Sequence, residues 1–147
     1  MKIDIRKLSV NECEEALTLV LSVFMQYEAP DYTEQGIESF VKSMKNKDFT
    51  NALEFYGATH NQELIGVIAT RNNGNHIALL FVKEEYHKQG IGRKLLQTVL
   101  DLSTENKMTV NSSPYAIGFY RKVGFLPDRD EQVIDGIRFT PMTLYKM

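Results

Sequence analysis

The sequence predicts an α/β domain built on one mixed sheet with helices on both faces, and three observations carry that expectation. Strand-like runs at 53–59, 64–71 and 77–82 follow one another across short polar turns, which gives an antiparallel meander. An amphipathic helical stretch then separates the third run from a fourth at 108–111, and a strand–helix–strand succession pairs its strands in parallel through a right-handed crossover. The length, 147 residues, suits a single domain over 1–147, enough to bury ~70% of the surface that the unfolded chain exposes.

Each element has its local reason. Residues 2–8 alternate Ile3 and Ile5 with polar neighbours and read as a half-buried strand. Ser9 or Asn11 can cap the following helix, whose first turn holds Glu12, Glu14 and Glu15 where the dipole favours carboxylates. From Ala16 to Met25 that helix is apolar on most faces, and Tyr27-Glu28-Ala29-Pro30-Asp31-Tyr32 stops it, because proline disfavours helical geometry at the residue before it. Thr33 opens a second helix with Ile37, Phe40, Val41 and Met44 on one face, ended by the polar residues 45–48.

After the meander, whose Asn72-Asn73-Gly74-Asn75 turn supplies residues tolerant of positive backbone angles, Ile91, Leu95, Val99 and Leu102 form the buried face of a helix running to about Lys107. A strand at 108–111, a short helix at 115–123 stopped by Gly124, and closing strands at 125–127, 131–134 and 138–145 complete the order, with Asp135-Gly136 as a hairpin turn.

Composition narrows the function. A formal charge of −2 with both signs interspersed argues against a dedicated nucleic-acid binder, although Lys88, Arg93 and Lys94 make a local basic patch suited to a phosphorylated ligand. The single cysteine, Cys13, cannot form an intramolecular disulfide or by itself a zinc site, so no metal is expected and a reducing compartment is. The N-terminus has no hydrophobic signal region and no run approaches the ~20 apolar residues that span a bilayer. A cytoplasmic protein without membrane partners is the expectation.

Chemistry concentrates where the strand at 76–82 runs through a loop into the helix at Ile91. Backbone N–H groups at a helix N-terminus, with the dipole behind them, seat a diphosphate. The loop lacks the Gly-Lys-Ser/Thr ending of a Walker loop, and Leu95 stands where a dinucleotide fingerprint needs a third small residue. What it does carry is His87-Lys88-Gln89-Gly90-Ile91-Gly92, close to a Q/R-x-x-G-x-G/A pattern. Downstream lies Asn111-Ser112-Ser113-Pro114-Tyr115-Ala116-Ile117-Gly118-Phe119-Tyr120-Arg121-Lys122-Val123-Gly124-Phe125. Together these two stretches resemble the signatures of the GNAT superfamily of acyl-CoA N-acyltransferases.

The resemblance implies a GNAT-like mixed sheet whose fourth and fifth strands, about 77–82 and 108–111, splay apart to admit the pantetheine arm of acetyl-CoA. It implies that His87, Lys88, Gln89, Gly90, Ile91, Gly92 and Arg93 hold the pyrophosphate, that backbone groups near Leu80, Phe81 and Val82 bond the thioester and pantetheine amides, and that Asn111 and Phe119 also contact the cofactor. The implied reaction is direct attack of an amine on the thioester. The amine, with a reference pKa of ~10.4, must first lose a proton, and the thiolate, at ~8.5, leaves more readily if protonated. Tyr120 is the implied general acid.

The sequence departs from the pattern in two places. His87 stands where Gln or Arg is usual, so its phosphate contact would titrate near ~6.5. The strand from Ile77 to Val82 carries no ionisable residue, which leaves His76, Glu28, Asp31 and Glu84 as candidate bases. Glu28, Asp31 and Tyr32 also make up an acidic, aromatic segment able to hold an ammonium group. The acceptor, a small molecule or protein amine, stays open, as does a noncatalytic acyl-CoA-binding regulatory module. An exposed edge strand near the C-terminus would favour a homodimer.

Overall fold

A computed structural model describes residues 2–146 of the chain. β1 (Asp4–Lys7) leads through one 3₁₀ turn into α1 (Cys13–Tyr27). That turn is tied by the Glu12 carboxylate, which accepts from the backbone N–H of Ser9 at 3.0 Å and from its hydroxyl at 3.1 Å. As its composition requires, α1 buries Ala16, Leu17, Leu19, Val20, Val23 and Phe24. The chain does not straighten before Pro30, however. Ala29–Asp31 forms a further 3₁₀ turn, because a proline near the start of a helical turn gives up only an N–H that has no partner there. Glu28 is thereby held at the end of α1, its N–H donating to the Phe24 carbonyl at 2.9 Å.

α2 (Glu34–Lys45) begins where expected, the Thr33 hydroxyl accepting from the Gly36 N–H at 3.2 Å. The polar stretch after it is not a plain loop. Asn46 caps a short α3 (Lys47–Asn51), accepting from the Phe49 N–H at 3.1 Å, and Phe49 turns onto the core. β2 (Glu54–His60), β3 (Glu63–Arg71) and β4 (His76–Val82) form the antiparallel meander, with Asn61, Gln62, Asn72, Asn73 and Gly74 at positive φ in its turns.

α4 (Ile91–Leu102) stops short of Lys107. Its end is fixed from outside the helix: the Lys146 ammonium donates to the carbonyls of Leu100 at 2.8 Å and Ser103 at 2.7 Å, and a cation there also suits the helix dipole. Leu102 is exposed, and Leu96 and Leu100 join Ile91, Leu95 and Val99 on the buried face. Each such side chain contributes ~1.5–3 kcal/mol. β5 (Lys107–Ser112), α5 (Ile117–Val123), β6 (Leu126–Pro127), β7 (Gln132–Ile134) and β8 (Ile137–Tyr145) complete the chain. Asp135 and Gly136, at φ 53° and 79°, make the β7–β8 turn.

The sheet runs β1-β2-β3-β4-β5-β8-β6, with β7 on β8. β4 and β5 are parallel, and every other pair is antiparallel. One core lies under α1, α2 and α3, the other under α4 and α5, which gives the mixed sheet with helices on both faces. The C-terminal strand is not a free edge: β7 pairs with its first residues, Ile137–Phe139, and β5 with Thr140–Tyr145. The parallel pair is short. Only His76 with Thr109 and Ile77 with Val110 are in register, and beyond them β4 and β5 part.

Candidate active site

The parting of β4 and β5 leaves one edge of β4 without a strand over Leu80–Val82, while β3 still pairs with the other. Two cavities open at this gap, of about 440 and 730 Å³. Either is large enough for a small-molecule ligand. Glu28, Leu80, Phe81, Ala116 and Tyr120 line both, so the cavities meet at those five residues.

The larger cavity runs from that junction to the start of α4. Its wall includes Val82, His87, Lys88, Gly90, Ile91, Gly92, Arg93 and Phe119, all of them among the residues expected to contact a cofactor. Lys88 and Gly90 adopt φ of 63° and 80°, a turn-back that bares successive backbone N–H groups. No side chain caps Gly90, so the first-turn donors of α4 face the cavity without an intramolecular rival. Tyr27, Tyr115 and Lys122 line this cavity too; the sequence singled out neither Tyr115 nor Lys122 as a site residue, and placed Tyr27 in the segment expected to wall the acceptor rather than the cofactor. The Tyr27 ring lies 4.9 Å from His87 and 5.3 Å from Tyr115, centroid to centroid. Tyr115 and Lys122 belong to the second signature, and helical spacing from Phe119 could have signalled Lys122.

Several predicted residues are engaged within the protein or stand elsewhere. The His87 Nε2 donates to the Val82 carbonyl at 2.6 Å, which ties the loop to the strand and engages an acceptor expected to face the cofactor. Gln89 lines neither cavity and its amide donates to the Glu85 carbonyl at 3.2 Å. Asn111 lines the smaller cavity, not the larger. Asp31 also lines neither; it is exposed, and its carbonyl accepts from Arg138 at 3.1 Å. Tyr32 lines the smaller cavity with its hydroxyl donating to the Arg138 carbonyl at 3.3 Å.

The junction itself pairs a carboxyl with a phenol. Glu28 is half-buried, and desolvation lifts its carboxyl from 4.5 to about 7, the Ser113 hydroxyl pulling the other way and the Asp31 charge adding to the rise. Ser113 is held in place by accepting from the Ala116 N–H at 3.2 Å. Tyr120 is buried among Phe119 and Phe125, whose ring centroids lie 5.2 and 5.3 Å away. Burial first, and the Glu28 charge second, push its phenol well above the ordinary range. Among the described residues its hydroxyl makes no hydrogen bond to protein. The site therefore holds a carboxyl poised to take a proton at neutral pH and a phenol that keeps its own.

His76 is not the solvated turn residue that its place after Asn75 suggests. It is buried in β4, its Nδ1 2.8 Å from the Thr109 hydroxyl. Burial, then the charge of Arg71, lower its pKa from 6.5 to about 4. It lines the smaller cavity but lies four residues from Leu80, roughly 13 Å along a strand.

Residues 28–146 match the family model described as an acetyltransferase (GNAT) domain. Over 54 residues, 36% of the chain, the sequence is 37% identical to the peptidyl-lysine N-acetyltransferase YjaB of Escherichia coli, covering 37% of that protein. The chain spans about a third of the length of the curated relatives it matches. In fold it is similar to a GCN5-related N-acetyltransferase of Rhodopseudomonas palustris, with a TM-score of 0.85 at 20% identity over 99% of this chain and 96% of that one. It is also similar to the PaiA N-acetyltransferase of Thermoplasma acidophilum, solved in complex with coenzyme A, with a TM-score of 0.72 at 23% identity over 99% of both chains. On the family match over most of its length, the chain belongs to the GNAT acetyltransferase family.

Proposed function

We propose that the protein is an acetyl-CoA-dependent N-acetyltransferase that moves an acetyl group to a primary amine of a small molecule or protein by direct attack on the thioester. The observation that carries this reading is the meeting of the two cavities at Glu28 and Tyr120. The larger cavity, with the bared N–H groups of α4 beside Lys88, Arg93 and Lys122, suits a diphosphate and its pantetheine arm. The smaller leads an acceptor to the same five residues from the other side.

In this reading Glu28 takes the proton of the incoming ammonium, directly or through a water, and frees the nitrogen lone pair. The C–N bond forms as the amine attacks the thioester carbonyl, the C–S bond breaks, and the Tyr120 hydroxyl supplies the proton to the departing sulfur while the second proton of the now cationic nitrogen is given up and returns the phenolate to phenol. A base with a pKa of about 7 matches neutral operating pH, and a phenol kept protonated by burial still carries its proton at physiological pH when the thiolate departs. The unpaired edge of β4 offers backbone groups to the pantetheine amides. The free Cys13 thiol fits a reducing compartment, and cytoplasmic is the location we propose.

The test is release of free thiol from acetyl-CoA across amino acids, polyamines, aminoglycosides and lysine peptides, with amine-free blanks. Turnover with one amine class supports the proposal. Tight acetyl-CoA binding without turnover for any class would replace it with a cofactor-sensing module.

A further inference from the structure

The smaller cavity is lined by a cation that no carboxylate pairs with among the described residues. Arg71 ends β3, opposite His76 across the hairpin, and lines this cavity. Its Nε is buried without a hydrogen-bond partner. Among the described residues the salt bridges are Arg6 with Glu12, Lys83 with Glu63 and Arg138 with Glu131, and none involves Arg71. A buried guanidinium donor left unpaired is costly and calls for an explanation.

Its neighbours do not supply one. The Thr109 hydroxyl donates to the Asn75 carbonyl at 3.3 Å and so accepts from His76 Nδ1 at 2.8 Å, and burial, which lowers the pKa of that imidazole, keeps it neutral beside the guanidinium. Two carboxylates line the cavity: Glu28 at the junction, and Asp135, exposed at the tip of the β7–β8 turn. Neither pairs with Arg71. Much of the remaining wall is apolar, including Phe40, Met44, Phe49 and Phe139. A planar fork of donors facing an apolar chamber is matched by a carboxylate, which accepts two parallel hydrogen bonds.

We propose that the acceptor is a small amino carboxylate whose amine stands several bonds from its carboxylate, the amine presented to Glu28 and Tyr120 and the carboxylate held by the Arg71 guanidinium in the same chamber. The separation follows from the strand: Arg71 pairs with His76, roughly 13 Å along β4 from Leu80. This assignment rests on the acetyl-transfer reading for the amine end, while the anion site stands on Arg71 alone. A volume of about 440 Å³ suits a free small molecule, and the Arg71 charge disfavours polyamines.

Calorimetric titration of the coenzyme A-saturated protein tests the anion site without requiring turnover. The ligands are amino acids with the amine at the α, γ or ε position, each beside its carboxamide and its phosphonate counterpart. At least one amino carboxylate is expected to bind about 100-fold more tightly than its carboxamide. That gap should collapse in Arg71→Gln and partly return in Arg71→Lys, with coenzyme A affinity unchanged in both, which also shows that the variants fold. Equal binding of carboxylate and carboxamide, a preference that survives Arg71→Gln, tighter binding of the phosphonate, or no binding by any amino carboxylate would each overturn the proposal. Carboxylate binding that depends on Arg71, without thiol release from acetyl-CoA, would retain the anion site and remove the acetyl-transfer reading.

Discussion

Glu28→Gln is expected to make the protein slower and more stable at once. The Glu28 carboxyl rises from 4.5 in the unfolded chain to about 7 in the fold, so between those pH values the folded state binds more protons than the unfolded one. Stability from this group is present in full below pH 4.5 and is lost as pH rises toward 7. At about 1.36 kcal/mol per pKa unit, the loss above pH 7 is ~3 kcal/mol. Glutamine keeps the shape and cannot ionise. At pH 8 the variant should therefore melt roughly 6–12 °C above the wild type, the range expected for ~3 kcal/mol in a domain of this size, and at pH 4 the two should melt together.

His76 titrates with the opposite sign. Its pKa falls from 6.5 to about 4, so stability from it grows as pH rises through that window. The two groups partly cancel in the wild-type curve, and only the difference between variant and wild type isolates Glu28. Differential scanning calorimetry at pH 4, 6 and 8 gives that difference. In parallel, kcat/KM for the best acceptor should fall below pH 7 in the wild type, and the variant should lose about 10²–10⁴-fold in rate together with that limb of the profile. Equal melting at pH 8 would refute the desolvated carboxyl; full activity in the variant would refute its role as the base.

Three further outcomes follow from the same geometry. Tyr120→Phe should lower kcat by ~10²-fold or more with no fall in melting temperature, because the hydroxyl removed has no protein partner; a drop in stability with unchanged kcat would assign the tyrosine to the core. Gly90→Ala should cost ~1–2 kcal/mol and weaken coenzyme A binding in calorimetry. Gly90 sits at φ 80° and a Cβ there would touch nothing within 4 Å, so the cost is conformational, and Gly90→Asn should recover part of it. At Gly36 a Cβ would run into the Gly136 carbonyl. Gly36→Ala should push the β7–β8 turn off α2, costing ~1–3 kcal/mol and raising the acceptor KM, while coenzyme A affinity measured by calorimetry stays unchanged.

Local chemistry decided much of what the sequence made legible. The apolar runs of the meander, the i, i+4 apolar face of α4, the Asp135-Gly136 turn and the Gly124 stop each act over a few residues and appear where the chain order predicts them. The loop entering α4 is legible for the same reason: a strand, a glycine at positive φ and an uncapped helix start are contiguous in the chain. Long-range contact decided the rest. The C-terminal Lys146 ends α4, and the 3₁₀ turn at Pro30 swings Glu28 to the splay rather than into solvent. Neither is visible locally, because each rests on a partner distant in sequence or on a backbone choice that packing makes. Glu28, the base we propose, shows this most clearly. With no ionisable residue on β4, the sequence leaves Glu28 one candidate among several, since its raised pKa comes from burial against segments nearly a hundred residues away. Arg71 follows the same rule: in sequence it is the polar end of a strand, and only the folded chamber deprives it of a counter-charge. The order of residues determined the family and the loop before α4 and singled out Tyr120; tertiary burial decided which carboxyl shares the junction with Tyr120 and which cation lines the smaller cavity.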